Sequence, residues 1–278
     1  MVAQLNSPAT VSSPEEIIYP DSDGQPMADN TKQFRWITVI QYNLEWLFAQ
    51  NDRVFVAGDL LWYPVKGDNT LRQAPDVMVV FGVPKGDRGS YQQWKEGNIA
   101  PQVVFEILSP GNTRREMNRK QLFYDRYGVE EYYIYDPDRN DLTGWIRQND
   151  RLERIETLED WISPRLAIRF GWSDTELILF RPDGSAFASY TEVSNQLEAI
   201  YNQLEVTTSQ LEVTTSQLEV TTSQLEVTTS QLEVTTSQLE VTTSQLETAL
   251  QSAEQERQRA DRLAEQLRSL GIEPSLIN

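Results

Sequence analysis

From Phe34 onward apolar residues recur at three- and four-residue steps. Phe34, Ile37, Ile40, Leu44 and Leu47 predict one amphipathic helix ending near Ala49. Residues 53–63 carry Val54, Val56, Leu60, Leu61 and Trp62, a strand pattern with a bend at Gly58-Asp59. Residues 77–81 form a continuous apolar run, read as a strand buried on both faces. A polar loop from about Pro84 to Gly97 leads to a second apolar strand, residues 103–108, interrupted only by Glu106.

The next helix is well punctuated. Pro110-Gly111-Asn112 is a turn, Thr113 the N-cap, and Glu116 completes a capping box. Leu122, Phe123 and Tyr127 give the apolar stripe, and Gly128 supplies the stop. Residues 131–135 read as a strand ended by Asp136-Pro137. Shorter strands follow near 144–147, 152–156, 167–170 and 177–180. Helix, strands, helix, strand and a β-rich tail predict an α/β domain with a mixed sheet.

Beyond residue 190 the pattern changes. Residues 203–244 are six consecutive copies of Gln-Leu-Glu-Val-Thr-Thr-Ser, and leucines from Leu197 to Leu246 recur every seven residues. Residues 191–272 are therefore expected to form a parallel heptad-repeat coiled coil that makes a homo-oligomer, with Leu at position a and Thr207 and its repeats at d. Val, Thr, Thr and Ser are weak helix formers, so the seam is poor and an expanded spacer is the competing reading. The expected organisation is a mobile leader over 1–30, a globular domain over 31–190, the heptad segment, and a tail over 273–278.

Composition narrows the chemistry. The chain has no Cys and no His, which removes thiolate and imidazole metal sites and the Ser-His-Asp triad. Carboxylates with a hard cation such as Mg²⁺ (or Mn²⁺) survive. Net charge is −18, with 28 acidic against 20 basic residues over 1–190 and 14 against 4 over 191–278, which argues against a generic nucleic-acid coat. No apolar run is long enough to span a membrane and the first ten residues lack a signal-peptide pattern, so the expectation is a soluble, cytoplasmic protein.

Three acids interrupt apolar strands, where an unpaired charge is expensive. Asp76 opens the 77–81 strand, Glu106 lies near the end of the 103–108 strand, and Asp59 sits in the strand before. If the first two strands pair antiparallel, Asp76 and Glu106 become neighbours that need a shared proton or a cation. A bound Mg²⁺ satisfies both, with the Ile107 carbonyl as a third oxygen ligand. Against this stands the frequency of Pro-Asp as a plain turn. The following helix adds Arg114, Arg115, Arg119, Lys120 and Arg126. They are either a solvated face or a nucleic-acid contact, with Arg114, Arg115 and Arg119 on phosphates and Lys120 turned toward the metal site.

Pro75-Asp76, Phe105-Glu106-Ile107-Leu108-Ser109-Pro110, Arg119-Lys120 through Tyr124, and Tyr127-Gly128-Val129-Glu130-Glu131-Tyr132-Tyr133 occur in this order. Together they resemble the Uma-two family of restriction-endonuclease-like proteins, within the PD-(D/E)XK nuclease superfamily, over roughly residues 31–185. The resemblance implies a mixed central sheet flanked by helices, with Asp76 and Glu106 matching the metal-binding acids. It implies further that Lys120 replaces the lysine absent at position 108, which is Leu, and that Asp59 matches an additional acid. Tyr124 and Tyr133 fit the motif and fit equally as core aromatics. The implied function is a Mg²⁺-dependent endonuclease, with DNA the expected substrate. Two alternatives remain: an inactive nucleic-acid-binding module on the same fold, and an assembly protein whose globular domain is cargo for the rod.

Overall fold

The computed structural model describes residues 17–271, and the chain divides into two units, residues 1–196 and 197–278. In the first, α1 (Thr31–Leu47) precedes β1 (Val54–Gly58), β2 (Trp62–Tyr63), β3 (Val77–Phe81), β4 (Tyr91–Gln92) and β5 (Val103–Ile107). Then come α2 (Arg114–Arg126), β6 (Glu131–Asp136), β7 (Asp141–Gln148), β8 (Arg151–Arg154), β9 (Arg169–Trp172) and β10 (Leu177–Phe180).

Six strands form one mixed sheet in the order β1-β3-β5-β6-β7-β8. Within it only β5 and β6 run parallel, because α2 carries the chain back across the sheet between them. Strand alternation divides the core. Val77, Val79, Val103, Phe105 and Ile107 pack with Trp36, Ile37, Ile40 and Leu44 of α1. Met78, Val80, Val104 and Tyr132 pack with Tyr124 of α2 on the other face. Even-numbered residues of β3, β5 and β6 therefore lie under α2.

Several boundaries differ from the sequence pattern for identifiable reasons. Phe34 is 48% exposed, because the buried stripe of α1 runs through Gln33, Trp36, Ile37, Ile40 and Leu44. Asp59 takes a left-handed φ of 47°, which ends β1 and delays the next strand to Trp62. The polar loop at 84–97 holds β4 and a 3-10 turn, Gln93–Lys95. The capping box is present as expected, Thr113 accepting from the Glu116 amide. Residues 17–30 of the expected leader pack on the domain. Tyr63 donates its hydroxyl to the Pro20 carbonyl at 2.7 Å, and the Tyr19 ring meets Tyr63 and Trp94 at 5.2 and 4.8 Å. The first sixteen residues lie outside the described residues.

The β-rich tail is tied to the sheet by a buried carboxylate. Glu131 is 1% exposed and accepts from the Tyr133 hydroxyl (2.9 Å), the Ser163 hydroxyl (2.5 Å) and the Arg165 amide (2.6 Å). Glu131→Ala would strand three donors in the interior. A loss of about 2–4 kcal/mol in unfolding free energy by urea denaturation is the expected result.

The last helix, α3 (Tyr190–Ser269), spans the heptad segment. Its leucines and valines are exposed, Leu211 by 66% and Val213 by 58%. Thr207 and Thr208 donate their hydroxyls to the carbonyls of Gln203 and Leu204, each at 2.8 Å, and the later repeats do the same. The threonine hydroxyls are thus satisfied on the preceding turn without leaving the helix. The expected tail at 273–278 lies outside the described residues.

Candidate active site

The β1–β3 register pairs Gly58 with Val77, and the β3–β5 register pairs Val77 with Phe105. Extending each by one residue sets Asp59 opposite Asp76, and Asp76 opposite Glu106. The three acids that broke the apolar pattern thus lie in one row across three adjacent strand ends. The antiparallel pairing on which the Asp76–Glu106 proximity depended is present. The carboxylates of Asp76 and Glu106 turn toward the α2 face, where both are buried, at 8% and 2% exposure.

Helix α2 closes the row from above. Lys120 and Tyr124, one turn apart, reach the same carboxylate. The Lys120 ammonium lies 2.7 Å from Glu106 Oε2, and the Tyr124 hydroxyl donates to Glu106 Oε1 at 2.5 Å. Asp76 Oδ2 accepts the Ile107 amide at 2.6 Å. The Ile107 carbonyl accepts the Gln33 side-chain amide at 2.8 Å, so α1 reaches the site from the opposite face.

Electrostatics follow this geometry. Burial, reinforced by the Glu106 charge, pushes the Asp76 carboxyl well above the usual carboxylate range. Burial and the nearby Asp23 charge raise Asp59. Burial works against the Lys120 ammonium, but Glu106 and Asp76 outweigh it and hold its pKa above the ordinary lysine value. Tyr124 is driven well above the phenol range by burial and by Glu106, so it stays a donor.

The arginines are placed differently. Arg114, Arg115 and Arg119 are exposed on α2, and none is in an ion pair among the described residues. They share the helix with Lys120 but do not enter the carboxylate row. Among the described residues, no three acidic side chains stand close enough to enclose a metal ion. Asp59 therefore belongs to the row without joining a three-carboxylate cage, and a cation here would take two carboxylates completed by backbone or water oxygens.

Sequence reasoning gave no individual role to Gln33, or to Glu131 and Tyr132 within the quoted 127–133 segment. Glu131 shows the same signal as Glu106, an acid in an aromatic and aliphatic strand. Its partners separate the two: neutral donors surround Glu131, whereas Glu106 faces a second buried acid and a lysine. Gln33 has no sequence signal, being one polar residue on an amphipathic helix.

A mixed sheet with an acidic pair at its strand ends and a lysine on the crossover helix defines a nuclease-like α/β domain. The Uma2 family model, described as "Putative restriction endonuclease", matches residues 22–179, and the chain belongs to that family. No curated relative matches significantly. The crystal structure of "a putative nuclease belonging to DUF820" from Anabaena variabilis is similar at 18% identity and a TM-score of 0.38, over 51% of this chain and 78% of its own. Among the described residues no helix is long and apolar enough to cross a membrane.

Proposed function

We propose that this chain is a divalent-metal-dependent endonuclease acting on DNA, with Asp76 and Glu106 as metal ligands and Lys120 as the ammonium that orients the attacking water and stabilises developing charge. The observation that carries this reading is the pairing of two buried carboxylates on facing strand ends beneath one lysine. Two buried carboxylates this close carry a charge that one lysine does not fully offset, and a divalent cation such as Mg²⁺ or Mn²⁺ would balance it. Burial first, and the Glu106 charge second, favour a protonated Asp76, and a cation between the two acids would offset both. The Ile107 carbonyl has a second lone pair for a third contact, beside the one Gln33 occupies.

A bound cation would polarise a phosphodiester oxygen and lower the pKa of an attacking water. The chain's own residues do the rest. Asp76 is oriented by the Ile107 amide and Glu106 by Tyr124. Lys120 holds its charge beside the scissile phosphate, and Arg114, Arg115 and Arg119 bind flanking phosphates from the exposed face of α2.

The arginines and Lys120 separate experimentally. Arg115→Ala or Arg119→Ala is expected to weaken DNA binding several-fold and flatten its salt dependence. Lys120→Ala is expected to suppress turnover far more than affinity. Because it also leaves Glu106 short of a buried partner, its thermal stability is measured alongside. Equal losses of affinity for all three would reduce Lys120 to a member of the phosphate-binding face. Tight binding without cleavage under any divalent cation would instead favour an inactive binding module.

Residues 191–272 are proposed as a self-association segment. Its exact seven-residue period suits a partner of the same period, which a second copy supplies, and threonine methyls and leucines form the seam. Light scattering on the full chain and on a chain ending at Tyr190 is expected to show an oligomer only in the first. A monomer in both, or the same oligomer in both, would remove this role.

A further inference from the structure

Beneath α2, Tyr132 of β6 is fully buried, with 0% exposure, and its hydroxyl has no hydrogen-bond partner among the described residues. A hydroxyl taken from water without a partner costs roughly 1–3 kcal/mol, so this position needs an explanation. Tyr132 lies on the sheet face that carries Asp76 and Glu106, on the strand paired with β5. Its register partner is Val104, two residues before Glu106. Its ring packs on Tyr124 at 4.9 Å and stacks on Trp145 at 5.1 Å, which holds the ring in place. The charges of Glu106 and Asp76 both reach it and, behind burial, hold the phenol protonated.

A buried phenol on this face has a proton to donate, and the acids of the carboxylate row are the acceptors that the same face offers. Glu106 already has a donor on each oxygen, Lys120 and Tyr124. Asp76 accepts from the Ile107 amide through Oδ2, and the described hydrogen bonds leave its other oxygen free. We infer that Tyr132 is a positioning residue of the site, donating its hydroxyl through one water to the free oxygen of Asp76 and so orienting that carboxylate toward a divalent cation. This rests on the proposed metal site and assigns to it a residue from the neighbouring strand. Tyr124 and Tyr132 then divide the work, one orienting each acid.

The isosteric change Tyr132→Phe tests this on the full-length protein, with Mn²⁺ as the probe. Two readouts are needed: Mn²⁺ affinity by calorimetry, and the melting temperature in EDTA. The expected result is an affinity roughly tenfold weaker, the usual scale for a residue that orients a metal ligand. The melting temperature in EDTA should stay close to that of the parent, since the change keeps the packed ring and removes only a hydroxyl with no direct protein partner among the described residues. An affinity within twofold of the parent overturns the inference while leaving the metal site intact. A melting temperature lowered by several degrees also overturns it, because the hydroxyl then has a structural partner in the fold. If the parent protein itself binds no Mn²⁺, the metal site fails first and Tyr132 falls with it.

Discussion

Glu106→Gln is expected to reduce Mg²⁺-dependent DNA cleavage by at least about 10²–10³-fold, the scale on which a single charge-stabilising group acts. The substitution keeps the side chain's shape, and the amide oxygen can still accept from Lys120 or Tyr124, though not from both without strain. It removes the charge that pairs with Lys120 at 2.7 Å and one of the two carboxylates proposed to hold the cation. Asp76→Asn should produce a loss of the same order, for the second of those ligands. Initial-rate assays over a panel of DNA substrates, with circular dichroism to confirm folding, check both. Activity in either variant within a few-fold of the parent would remove that acid from the site.

The second large effect is on stability, and its sign is opposite. Burial and the Glu106 charge raise the Asp76 carboxyl well above its ordinary value of 3.8. A raised folded-state pKa means that the native protein holds a proton which the unfolded chain has already released. Across the window between 3.8 and the raised value, native stability then falls as pH rises. The metal-free protein should accordingly melt higher at mildly acidic pH than at pH 8. Asp76→Asn carries no charge to desolvate, so it should be more stable than the parent at pH 8 in EDTA and should lose much of that pH dependence. Glu131 and Asp59, both raised chiefly by burial, contribute a residual slope of the same sign. Calorimetric scans from pH 5 to pH 8 in EDTA measure this. A parent protein whose melting temperature climbs with pH over that range would contradict it. Stability gained by disabling a functional acid is the general signature of a site built against the fold's own preference.

How much of this was legible in the sequence depends on the interaction involved. Strands β3 and β5 were plain because unbroken apolar runs have one stable place, between two helical layers. The acids at their ends were plain for the complementary reason, that a charge in such a run needs a partner. The capping box at Thr113 and Glu116 marked the start of α2 to the residue. Long-range partners were not legible. Gln33 reaches Ile107 across 74 positions of sequence, and nothing local marks it. Tyr132 and Tyr133 are adjacent and chemically alike, yet strand alternation sends one to the α2 face that carries the carboxylate row and the other to Glu131. The register of β6 against β5 decides between them, and a one-residue slip would exchange their roles. Ile37, Ile40 and Leu44 hold the buried stripe as read, but Phe34 lies off it because Gln33 and Trp36 take the buried positions of the first turns.

Crystals of the full chain soaked in Mn²⁺ and measured at the manganese absorption edge address the central claim, that Asp76 and Glu106 share one divalent cation. The predicted result is a single anomalous peak at coordinating distance, about 2.0–2.4 Å, from a carboxylate oxygen of each, absent from Asp76→Asn crystals treated identically. A peak bound elsewhere, or none at saturating Mn²⁺ with both carboxylates ordered, would contradict it.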